Sequence, residues 1–239
     1  MSEHSKLTVP GTSGGDHVHL AARAAISAIP GAGGPTLEIF NALVTPPIEK
    51  RRKEWMESVG SALEELQKKD NQLIERLQKD DTFQSVLLQA SWAAVRNHQA
   101  EKLTALRIAV QNSAIASDDT QLLFVRFVDE LTPTHLLVLN FFVKREKEVA
   151  HLESYQQVIE AFSASCEQKL NPFLFRMVCE DLKVRGLVRI SEDIHDLPGV
   201  YTEPKIVIEG SSKDPKVIVT DFGKSFVAFV LTSHLGAGA

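Results

Sequence analysis

The sequence predicts a mainly α-helical protein: a helical hairpin, then a helical bundle, then a small α+β domain that closes the chain. Three observations lead there. Gly and Pro are sparse between Thr45 and Ser191, so few breakers interrupt helices in that stretch. Apolar residues recur through it at steps of three, four and seven, the period of a one-sided helix. Two short β-branched runs, LVRI from Leu187 and KVIVT from Lys216, flank a polar stretch carrying Gly and Pro from Ser191 to Pro215, as two strands around a long connection would.

The elements follow in order. Residues 1–17 are rich in Gly and Ser and read as a flexible tail. Val18 to Ile29 is Ala-rich and apolar around much of its circumference, which predicts a short buried helix. The knot from Pro30 to Pro35 must turn, because Gly frees the backbone and Pro stops a helix. TLEIFNALV then resumes with Leu37, Phe40 and Val44 on one face, completing the hairpin. Thr45-Pro46 reads as an N-cap followed by Pro at the first helical position, so a long helix should start there. Trp55, Val59, Leu63, Leu66, Leu73 and Leu77 form its apolar row, interrupted by Asp70, over about 30 residues. The seam is too short and broken for a true coiled coil.

Three more helices are marked by Phe83 to Ala94, Leu103 to Ala114 and Leu122 to Val128. Ser117 is the predicted cap of the third, with Asp118 and Asp119 in the first turn, where the helix dipole is positive. Short connections make these an antiparallel bundle. Thr132-Pro133 opens a further helix, Leu152 to Ser165 forms another, and Asn171-Pro172 starts one that ends at Gly186. Thr220 caps a closing helix from Asp221 to Ser233. The expected boundaries are a tail over 1–17, hairpin and bundle over 18–131, and the closing domain over 132–239.

Composition narrows the function. The net charge of −5 gives no general attraction to nucleic acid or anionic lipid, so such binding would need a local patch. Two cysteines, Cys166 and Cys179, make no disulfide framework and read as buried free thiols in a reducing compartment. The first residues lack a charged region followed by an apolar one, so no secretory signal is read. No run of about 18 uncharged apolar residues exists, so no simple spanning helix is expected. A cytoplasmic protein is predicted, with peripheral contact at the inner membrane face as an alternative.

The order helix, helix, helix, strand, wing, strand, helix, with LKVRGLVRI before the wing and VIVTDFGKSFVAFV after it, resembles a winged-helix domain over Thr132 to His234. The pieces that carry the resemblance are Leu182-x-x-x-Gly186-Leu187-Val188 and Val219-Thr220-x-x-Gly223-x-x-Phe226. IPGAGGPTLEIF and PPIEKRRKEW resemble the start of bacterial proteins that join a Gly-broken hairpin, a bundle and a small winged-helix-like tail. Some of these are similar to abortive-infection proteins of the alpha type, which implies phage defence and fixes no residue role.

Winged-helix domains often place their third helix in the DNA major groove, with Lys and Arg on phosphates. The resemblance therefore implies Arg176, Lys183, Arg185 and the wing lysines Lys205, Lys213 and Lys216 as nucleic-acid contacts. Charge argues the other way. The segment from Thr132 holds 12 Lys+Arg against 14 Asp+Glu, whereas a phosphate-binding module concentrates positive charge. A protein-docking winged helix is the stronger expectation.

Lys50, Arg51, Arg52 and Lys53 beside Trp55 resemble an interfacial membrane flank. Each hairpin arm spans only about ten residues, roughly half a bilayer core at 1.5 Å per residue. Burial against the bundle is the favoured reading. Catalysis has no constellation to carry it. The eight histidines are scattered, and Asp16-His17-x-His19 lacks a paired ligand cluster. The cysteines have no C-x-x-C spacing, and no Gly-Lys-Ser/Thr follows the GAGG turn. The expected function is a non-catalytic interaction or regulatory protein with no cofactor, docking through apolar helix faces. Its candidate self-association row is Trp55, Val59, Leu63, Leu66, Leu73 and Leu77. A DNA-binding regulator and a membrane-acting defence effector are the alternatives.

Overall fold

The computed structural model describes residues 35–116, 118–149, 151–152, 155–191 and 216–233. Among them are ten helices and one two-stranded antiparallel sheet, so the chain is mainly helical. It divides into two compact units, one running up to Val125 and one from Arg126 to Ser233. The predicted tail, the helix from Val18 to Ile29, the Gly/Pro knot and the Ser117 cap lie outside the described residues.

The first unit holds α1 (Pro35–Gln67), α2 (Leu73–Leu77), α3 (Asp81–Arg96), α4 (Ala100–Ile115) and the start of α5 (Thr120–Glu130). Helix α1 corrects the expected start at Thr45: it runs unbroken through Pro46 and Pro47. Each Pro removes one N–H and frees the carbonyl four residues earlier. Those carbonyls belong to Ala42 and Leu43, both exposed, so water can satisfy them and the helix continues. The single helix expected from Pro46 to Leu77 is corrected too. It breaks after Gln67 because the Asp70 carboxylate competes for the backbone, its Oδ1 accepting from Gln72 N–H at 3.0 Å. Its Oδ2 pairs with Arg76 at 3.3 Å, and Arg76 also donates to Ala114 O, in the last turn of α4.

Helices α1, α3 and α4 pack on one another. Trp55, Val59, Ala62 and Leu66 of α1 are buried, as are Val86, Ala90, Ala93 and Ala94 of α3 and Ala105, Leu106, Ala109 and Val110 of α4. The Trp55 indole donates to Ser91 Oγ at 2.9 Å, which satisfies its one polar group. Helix α4 is buried on every side from Ile108 to Ala114, although Gln111 and Ser113 are polar. Among the described residues neither amide atom of Gln111 has a hydrogen-bond partner, and the residue is 1% exposed. An unmade buried bond costs about 1–3 kcal/mol. Gln111→Met, which keeps the length and removes both groups, is expected to raise stability by about 1 kcal/mol in a denaturant titration.

The second unit holds the end of α5, then α6 (Pro133–Lys144), α7 (Glu146–Val149), α8 (Tyr155–Cys166), α9 (Pro172–Val184), β1 (Val188–Ser191), β2 (Lys216–Val219) and α10 (Asp221–Leu231). Its core is aromatic. Phe141 and Phe162 meet edge-on at 5.4 Å, and Phe175 lies 5.9 Å from Phe162 and 6.1 Å from Phe142. Asn171 Oδ1 accepts from Phe173 N–H at 2.8 Å and starts α9, with Pro172 in its first position. The helix ends in a Schellman turn: Gly186 N–H bonds Lys183 O, Leu187 N–H bonds Leu182 O, and Gly186 takes φ +72°. Leu182 and Leu187 are both fully buried there. Strands β1 and β2 pair Val188 with Val219 and Ile190 with Val217, all buried. Thr220 Oγ1 accepts from Gly223 N–H at 2.9 Å to open α10.

Candidate functional site

Helix α9 carries two apolar faces. Phe175, Val178, Cys179 and Leu182, at steps of three and four, are buried against the unit. On the opposite face Phe173 is 73% exposed, Met177 54% and Val184 84%, with Leu174 beside them at 44%. Phe173, Met177 and Val184 are spaced by four and seven, so they share one stripe. Exposed large apolar residues are ordinary when scattered, but four on one short helix make a concentrated apolar patch. Arg176, Glu180 and Lys183 run along one edge of the stripe, with Glu180 and Lys183 3.7 Å apart.

The predicted cations of this helix serve different ends. Arg185 does not face solvent as a phosphate contact. Its guanidinium donates to Glu130 Oε2 at 2.6 Å, pairs with Asp181 at 3.5 Å and lies 5.4 Å from the centre of the Phe127 ring. Arg176 and Lys183 are exposed. Lys205 and Lys213 lie outside the described residues, as does the side chain of Lys216.

Arg185 is the middle of a polar chain. Glu130 also accepts from Arg126 at 2.7 Å, and these two hydrogen bonds, Arg126 first, hold its carboxyl below the usual range. Asp181 reaches His135 Nε2 at 3.2 Å. His135 Nδ1 faces the Thr132 hydroxyl at 2.7 Å and accepts from Thr132 N–H, so the imidazole is bonded at both nitrogens. Burial lowers its pKa below the ordinary 6.5 and outweighs the pull of Asp181, while the Arg185 charge adds to the lowering. The unfolded chain thus takes up a proton near that value which the folded chain refuses until lower pH. Stability from His135 is complete above about 6.5 and falls as pH drops through the folded value. Denaturation midpoints measured on both sides of that pH should show the decline, and His135→Gln should flatten it.

In the first unit, the row Trp55, Val59, Leu66, Leu73 and Leu77 is buried and Leu63 half-buried. That row is taken up inside the unit and leaves no stripe for a second copy. Trp55 therefore does not sit at a surface beside the basic cluster. Lys50 and Lys53 are exposed and pair with Glu54 and Glu57, both at 3.8 Å, while Arg51 and Arg52 are half-buried. No helix among the described residues is long and apolar enough to cross a membrane.

Among the described residues no group of three His, Cys, Asp or Glu side chains could hold a metal ion. Burial pushes the Cys179 thiol up to about 12, so it stays protonated at neutral pH and is no nucleophile. Burial also raises Cys166, against the pull of Lys144 and Arg145.

The outer stripe of α9 is the feature the sequence reading missed. The signal is present in PFLFRMVCEDLKV: eight of its thirteen residues are apolar, more than one buried face can use. Comparison with known protein families, with curated proteins and with solved structures finds no match.

Proposed function

We propose that the chain is a non-catalytic docking protein whose closing unit is winged-helix-like, and that the outer face of α9 pairs with a second copy of the chain. The observation that carries this reading is the exposure of Phe173, Met177 and Val184 on the helix that a DNA-binding winged helix would devote to cations. The winged-helix-like reading is supported by the order of helices and strands, by the antiparallel β1–β2 pair and by the turn at Gly186.

Charge favours a second copy as the occupant. Arg176 and Glu180 lie one turn apart on the same edge of the stripe. When two α9 helices pack antiparallel, like edges face each other. A two-fold axis beside Met177 then sets Arg176 of each copy against Glu180 of the other, and both phenylalanines at position 173 are covered. The arrangement is closed, so it yields a dimer and no fibre.

Sedimentation velocity over a concentration series tests the reading. The wild type should move from monomer to dimer, and Met177→Glu should remain monomeric at the same concentrations while keeping its helical circular dichroism. A wild type that stays monomeric up to its solubility limit rules the pairing out. Binding to duplex DNA that weakens steeply with salt would instead favour the regulator alternative.

A further inference from the structure

A pocket of about 140 Å³ opens in the first unit between α1, α3 and α4. It is lined by Arg51, Trp55 and Ser58 of α1 and by Thr104 and Arg107 of α4, with Glu54 also on its wall. Arg51 and Arg107 are half-buried. Neither makes a hydrogen bond or ion pair with any described residue, whereas Arg76, Arg126, Arg145 and Arg185 each hold a carboxylate. Glu54 turns to Lys50 at 3.8 Å and is 61% exposed. Two guanidinium groups from different helices thus meet one small cavity with no carboxylate bridging them.

Like charges brought together and partly desolvated oppose folding unless an anion joins them. The rest of the lining suits such an anion. The Ser58 and Thr104 hydroxyls are donors, and each guanidinium presents a planar fork that matches the oxygens of a phosphate group. The Trp55 indole N–H is already held by Ser91, so the ring adds an apolar wall and no competing polar atom. We infer that this pocket binds a phosphate group, with Arg51 and Arg107 as its clamp and Ser58 and Thr104 as supporting donors. The phosphate could arrive on a small soluble molecule or on a lipid headgroup. Lys50, Lys53 and the exposed Ile39 and Leu43 on the same helix would face a lipid surface in the second case.

Thermal denaturation of the full chain tests this with inorganic phosphate against chloride at equal ionic strength. Phosphate should raise the melting temperature of the wild type, and Arg51→Gln or Arg107→Gln should each weaken phosphate binding at least about tenfold, the scale of one charge-assisted contact. Arg52→Gln, beside the pocket but not lining it, should keep the wild-type response. In phosphate-free buffer the two clamp variants should be no less stable than the wild type, because the repulsion is relieved. A clamp variant that does not fold would itself contradict the inference. Co-sedimentation with phosphatidylcholine vesicles, with and without phosphatidic acid, separates the sources. Binding only to the phosphatidic acid vesicles, lost in Arg107→Gln, assigns the site to a headgroup, and a response to free phosphate alone assigns it to a soluble ligand. No phosphate response and no vesicle binding overturns the inference, as does a response that survives in both clamp variants.

Discussion

Phe175→Ala is expected to cost about 3–5 kcal/mol of stability, while the same change two residues earlier, at Phe173, leaves stability within about 0.5 kcal/mol. The chemistry removed is identical and the surroundings differ. Phe175 is fully buried and touches the rings of Phe142 and Phe162, so its loss leaves a cavity that a packed aromatic core cannot close. Phe173 is 73% exposed and its removal empties nothing within the unit. The proposed pairing supplies the second half of the contrast. Phe173→Ala should weaken self-association, whereas Phe175→Ala should act through folding. Denaturant titration beside a concentration-dependent mass separates the two, and a large stability loss at Phe173 would mean that its ring packs within its own unit.

Gly223→Ala should destabilise the protein by about 3 kcal/mol, at the upper end of what overpacking one group usually costs. A Cβ at that position would lie 2.1 Å from the backbone oxygen of Leu187. That oxygen cannot step aside cheaply, because it accepts from Thr220 N–H at 3.2 Å and lies 3.1 Å from the Thr220 hydroxyl. The start of α10 and the turn before β1 would have to part. Gly60 is the contrasting site. It lies inside α1, and beyond its own turn of helix no described residue comes within 4 Å of an added Cβ, so Gly60→Ala should stabilise by about 0.5–1 kcal/mol through helix propensity. Melting temperatures of the two variants should therefore move in opposite directions.

Local chemistry was legible in the sequence wherever a few neighbouring residues decide the outcome. Asn171-Pro172, Gly186 and Thr220 mark their helix ends because a cap or a positive φ is a property of a short stretch. The α3 and α4 periods were readable for the same reason. The prolines at 46 and 47 misled, since their effect depends on whether the carbonyls they free can reach water. Asp70 was visible as an interruption, but whether its carboxylate bends the chain or only points outward is decided by Arg76 and the backbone around it. Arg185 reads as a free cation until its partner, Glu130, is known, 55 residues away. Burial of the Trp55 row and exposure of Phe173 could not be separated by period alone. Both are apolar stripes, and only packing shows which one the fold consumes.

The measurement that most directly tests the pairing of α9 with a second copy is a charge exchange read by sedimentation velocity. Arg176→Glu alone should set two acidic residues against each other across the two-fold axis and shift the chain toward monomer. Adding Glu180→Arg to it restores opposite charges at the same contact, and the dimer should return. A wild type that never dimerises, or a double variant that stays as monomeric as the single one, would contradict the account.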